Sequence, residues 1–126
     1  MIARILAGLV AVVMGLSALG WLTDPLTAAE GLGMPLLDGV GRSTQIGDFS
    51  AFFLGTTLLC VLGAWRQEAQ WLYSAAIILG LAALLRTLAW VLHGAPFATT
   101  FIVAELIMTA LLITGSVLMQ KRSSAA

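Results

Sequence analysis

Residues Trp71–Met119 read WLYSAAIILGLAALLRTLAWVLHGAPFATTFIVAELIMTALLITGSVLM. Two apolar runs, each long enough to cross a bilayer, flank the break His93-Gly94-Ala95-Pro96. A spanning helix needs about 20 apolar residues. Glycine suits the residue just past a helix end, and a proline soon after cannot extend the helix. The stretch therefore predicts two antiparallel membrane helices joined by a tight turn. Each run carries one full charge, Arg86 in the first and Glu105 in the second. Arg86 precedes Ala95 by nine residues and Glu105 follows it by ten. At a rise of about 1.5 Å per residue, both charges lie roughly 13–15 Å from the turn. If both face inward they meet.

Outward from this hairpin, two more runs qualify as spans, Ile2–Leu22 and Ile46–Trp65. The expected fold class is therefore all-α, a four-transmembrane-helix antiparallel bundle with spans at 2–22, 46–65, 71–92 and 97–119, forming one domain over 1–126. No polar–apolar alternation of the kind that marks barrel strands occurs. The first run, with Arg4 near its start, is longer than the apolar core of a usual signal peptide and reads as a retained span. Of the 126 residues, 60% are hydrophobic and only 10% charged, whereas a soluble domain is nearer a quarter charged. With so little polar surface the chain needs lipid as its solvent. The formal net charge of +0 offers no basic face to nucleic acid. The one cysteine, Cys60, reads as a small core hydrophobe and excludes an internal disulfide.

Arg4, Arg66, Lys121 and Arg122 fall on the side of the N-terminus, the second connection and the tail, opposed only by Glu68. The other side holds Asp24, Glu30 and Asp38, with Arg42 alone as a base. The positive-inside rule then places both termini in the cytoplasm, and the expected location is the bacterial inner membrane. Trp21 and Trp90 are expected at one interface and Trp65 and Trp71 at the other, where indole rings favour the headgroup region. The first connection, Thr23–Gln45, is the long one. Asp24-Pro25 suits the start of a short interfacial helix over Pro25–Glu30, because a carboxylate can cap the first turn and proline fits its first position. Small residues predict the packing seams: Ala7, Ala11, Gly15 and Ala18 in span one, Gly55 and Gly63 in span two, Ala75, Ala82, Ala83 and Ala89 in span three, Ala104 and Gly115 in span four.

A charge inside a membrane helix is a functional candidate by default. Asp48 sits about one turn inside span two, and His93 lies seven residues, two helical turns, after Arg86. Asp48, Arg86, His93 and Glu105 thus form a candidate polar cluster for a ligand or a proton, with Phe49 and Phe52 as its floor. Each also has a plainer reading: a register-fixing clasp for Arg86 and Glu105, a helix-end carboxylate for Asp48, an interfacial imidazole for His93. No phosphate loop, nucleophile elbow, paired-cysteine motif or zinc-protease motif is present, so no cofactor or metal is expected. The expected function is a structural or partner-binding bundle, with a proton- or amphiphile-handling carrier or intramembrane enzyme using Glu105 or Asp48 with Arg86 as the alternative. The expected partners are the lipid bilayer and a second copy or another membrane protein. Small multidrug exporters share the length and the four spans but carry their working carboxylate in the first span, where this chain has none.

Several motifs carry a resemblance: Gly15–Pro25 (GLSALGWLTDP), Gly47–Gly55 (GDFSAFFLG), Leu85-Arg86 with His93-Gly94-Ala95-Pro96, and Ala104-Glu105-Leu106. In these the chain resembles the small bacterial four-helix membrane proteins grouped as a domain of unknown function. That resemblance implies the four-span fold and the placement of Arg86 and Glu105, and no activity. The family's glycine pair after a basic residue at the start of span two is replaced here by Arg42-Ser43-Thr44-Gln45-Ile46-Gly47-Asp48.

Overall fold

A computed structural model describes all 126 residues. It contains five helices and no strand: α1 Ile2–Thr23, α2 Pro25–Gly31, α3 Gly39–Arg66, α4 Ala69–His93 and α5 Thr99–Ala125. All except α2 are long and apolar enough to cross a membrane. The all-α class, the four spans and the longer first connection thus agree with the sequence. Large side chains such as Leu9, Val12 and Leu16 on α1 stay more than half exposed, as lipid-facing positions would.

Two compact units make up the chain. The hairpin unit comprises Met1–Val10 and Leu59–Ala126, and the loop unit comprises Ala11–Leu58. In the hairpin unit, the buried stripe of α4 runs Leu72, Ala76, Leu79, Ala83, and that of α5 runs Ile102, Glu105, Leu112, Ser116, Met119. These spacings of three, four and seven residues keep one face of each helix on the seam. Arg86 and Glu105 both fall on it. Gly80 lies against Thr109, and Tyr73 Oη donates to Gln120 Oε1 at 3.0 Å, which fixes the antiparallel register toward the far end. Gly94 ends α4 with φ 66°, the left-handed value that glycine adopts freely. Leu72 is fully buried between Gly63 of α3 and Gly115 of α5, where it fills space a Cβ on either glycine would enter. Arg4 Nε donates to the Ala64 carbonyl at 3.1 Å, satisfying one of the unpaired acceptors in the last turn of α3.

In the loop unit, Asp24 caps α2 as expected: Oδ1 accepts from Thr27 N and Oδ2 from Thr27 Oγ1, with Pro25 in the first turn. The helix α3 begins at Gly39, seven residues before the apolar run. Hydropathy marks where a helix enters lipid, whereas helical hydrogen bonding continues into water. Here the extra turns are held by the Arg42–Asp38 ion pair at 2.8 Å and by Arg42 Nε donating to Leu37 O at 2.9 Å. Trp21 is not an interfacial anchor. It is 1% exposed and stacks on Phe49, with centroids 4.9 Å apart and planes 10° from parallel. Trp65, Trp71 and Trp90 keep exposed or half-exposed rings, and Trp71 Nε1 donates to Glu68 Oε2 at 2.8 Å.

Candidate functional site

The centre of the site is a single hydrogen bond between charges. Arg86 Nε donates to Glu105 Oε1 at 2.8 Å, joining α4 to α5 at matching distance from the Gly94 turn. The Glu105 side chain is 8% exposed and that of Arg86 34%. The guanidinium carbon lies 4.9 Å from the Phe101 ring centroid, so the cation also meets the negative face of an aromatic ring. The small side chains Ala82, Ala83 and Ala89 flank Arg86 on α4. One turn along α5, Thr109 Oγ1 donates to the Glu105 backbone carbonyl at 2.7 Å. Near the turn, Trp90 and Phe97 meet edge to face with centroids 5.1 Å apart.

The pair is not closed upon itself. A guanidinium can grip a carboxylate with two parallel bonds, but here one bond forms, through Nε. Neither Nη atom makes a hydrogen bond, and neither is sealed from the surroundings. On the other partner, Glu105 Oε2 is sealed and has no hydrogen-bond partner. Hydrocarbon offers neither donors nor acceptors, and a buried polar atom left unpaired costs about 1–3 kcal/mol. The bond thus uses one of the guanidinium's five N–H donors and one of the two carboxylate oxygens, and the sealed Oε2 is the atom whose unused capacity is expensive.

The other two candidate residues stand apart from this bond in their chemistry. His93, the last residue of α4, is exposed and bonds to neither Arg86 nor Glu105. Asp48 lies on α3 in the loop unit, exposed. No group of three or more His, Cys, Asp or Glu side chains is placed to hold a metal ion. At the opposite end of the hairpin from its turn, a shallow groove of about 300 Å³ is lined by Gln67, Glu68, Gln70, Gln120 and Ser123 among others.

One buried polar residue that ties the fold together was not visible in the sequence. Gln45, 7% exposed, accepts from Leu37 N at 2.7 Å through Oε1 and donates to Pro35 O at 3.0 Å through Nε2. It pins the irregular Met34–Leu37 segment to α3. Its signal was faint: an amide one residue before an apolar run, facing a segment too apolar for a free loop.

No protein-family model matches the chain, and no curated protein or solved structure does either.

Proposed function

We propose that this chain is a non-enzymatic integral membrane protein, a helical bundle that serves a structural or partner-binding role, with Arg86 and Glu105 as its internal clasp. The observation that carries the reading is the 2.8 Å bond between seam positions of α4 and α5. Together with the Tyr73–Gln120 bond at the far end, the charge pair supports a single register of α4 against α5. We further place the protein in the bacterial inner membrane with both termini cytoplasmic, supported by the basic residues Arg4, Arg66, Lys121 and Arg122. Membership in the small bacterial four-helix family rests on the motifs quoted above. The alternative, a carrier or enzyme that handles protons or amphiphiles through Glu105, Asp48 and Arg86, is favoured by the unpartnered Glu105 Oε2.

The clasp is tested by removing both charges at once. A buried pair replaced by apolar residues is often neutral or stabilising by about 1–4 kcal/mol, because neither charge is left stranded. The double variant Arg86→Leu/Glu105→Leu, in bilayer nanodiscs, is expected to unfold at or above the parental midpoint and to support growth wherever loss of the gene impairs it. A folded double variant that fails in the cell overturns the structural role.

A further inference from the structure

The end of the hairpin unit away from the Gly94 turn gathers positive charge around a cavity. Arg4 Nε and Gln67 Nε2 donate to one shared acceptor, the Ala64 carbonyl, at 3.1 and 2.6 Å. Arg4 of α1 is thereby fixed beside Gln67. Gln67 in turn lines a cavity of about 220 Å³ with Met119, Arg122 and Ser123 of α5. Desolvation, then the nearby charges of Arg122 and Arg4, hold the Met1 ammonium below its ordinary pKa, so both guanidiniums lie within Coulombic reach of one point. Both side chains are exposed, and neither has a carboxylate partner: the ion pairs of the chain are Arg42–Asp38 and Arg86–Glu105. Glu68, the carboxylate nearest in sequence, uses Oε2 on the Trp71 indole and the Gln70 amide and does not line this cavity.

We propose that this cavity seats the phosphate of an anionic phospholipid from the leaflet at this end of the bundle. The site is separate from the Arg86–Glu105 clasp, which lies nearer the Gly94 turn. A phosphodiester brings one negative charge and only acceptor oxygens. The cavity wall answers with donors: the Arg122 fork, the second N–H of the Gln67 amide and the Ser123 hydroxyl. Arg4 adds a second positive charge from beside Gln67, and cations around a helix pocket at the membrane surface attract such headgroups. The exposed Trp65 and the half-buried Trp71 bracket Gln67 in the sequence and mark the headgroup level. The acyl chains have a surface to follow. Leu118 and Leu111 precede Arg122 by four and eleven residues, which keeps all three on one face of α5, and both leucines are half-buried. A free phosphate would leave that face unused. A choline headgroup would bring its own cation against Arg4 and Arg122, so charge selects the anionic lipid.

Native mass spectrometry of the full chain, released from detergent after titration, reads both the ligand class and the stoichiometry. The probes are dioleoyl phosphatidylglycerol, dioleoyl phosphatidylcholine and inorganic phosphate. One phosphatidylglycerol per chain is expected, with phosphatidylcholine roughly fivefold weaker or worse. Excess inorganic phosphate should leave the bound lipid in place, because it cannot replace the acyl contacts. Two neighbouring variants then separate a site from a charged surface. Arg122→Gln removes a cation that lines the cavity. Lys121→Gln removes an equal charge one residue earlier, about 100° around the helix. A basic residue at a membrane surface is worth roughly fivefold in affinity, so Arg122→Gln should weaken phosphatidylglycerol by about that factor. Lys121→Gln should change it by less than about twofold. Both side chains are exposed, so the unfolding midpoint should stay level in either variant. Equal losses in the two variants would reduce the cavity to diffuse surface charge and overturn the assignment. Equal retention of phosphatidylcholine, displacement of the lipid by inorganic phosphate, or a dimer free of bound lipid would overturn it as well.

Discussion

Gln45 and Glu105 are both buried polar side chains on long apolar helices, one in the loop unit and one in the hairpin unit. Gln45 uses its oxygen and its nitrogen on neighbouring backbone, at Leu37 N and Pro35 O, within bond lengths of 2.7 and 3.0 Å. Glu105 uses one oxygen on Arg86 and leaves the other without a partner. An amide whose needs are met by main chain is a fastener. A carboxylate with one oxygen bonded, to a guanidinium that uses one donor of five, is an open circuit. Burial and polarity look alike in the two cases, and the count of unused donors and acceptors separates them.

The comparison breaks most visibly at Glu105. Glu105→Leu alone strands the Arg86 cation, and a loss of about 3 kcal/mol is expected. That is the low end of the range for splitting a buried pair, since Arg86 keeps 34% of its side chain exposed. Equilibrium unfolding in mixed micelles measures it, and a loss below 1 kcal/mol would show that the pair contributes little. Gln45→Leu comes next, at about 2 kcal/mol, because the Leu37 N–H and Pro35 carbonyl both lose their partner. Limited proteolysis should then cut faster within Met34–Leu37, and an unchanged cleavage rate would remove Gln45 from the role of fastener. The smallest effect is at Ser50, whose buried hydroxyl makes no hydrogen bond. Ser50→Ala removes a polar atom that gains nothing from its site, so the unfolding midpoint should stay level or rise, within about 0.5 kcal/mol. A clear loss there would reveal a partner for the hydroxyl and place Ser50 with Gln45.

Much of the hairpin was readable from the residues because its determinants are local. Gly94 and Pro96 set the turn, and a fixed rise per residue carried Arg86 and Glu105 to one level. The details that escaped were set by groups distant in the chain. Trp21 belongs in a core only because Phe49, far along the sequence, presents a flat ring to it. That Arg86 bonds through Nε and not through its fork depends on how the two helices are rotated, which hydropathy does not encode. The early start of α3 at Gly39 was hidden for another reason: a polar helical turn and a polar loop have the same composition, and only the Asp38–Arg42 pair and the Gln45 bonds distinguish them.

The close seating of Leu72 between Gly63 and Gly115 has a consequence for how this chain can change over generations. The three positions form one shape shared by α3, α4 and α5. A methyl group added at either glycine meets Leu72 first, and a smaller residue at 72 opens a void that growth at 63 or 115 can fill. Substitutions there are therefore tolerated in combination and penalised alone. In relatives of this chain the three positions should vary as a set, so that a pattern of linked exchanges at 63, 72 and 115 would be the inherited trace of this packing.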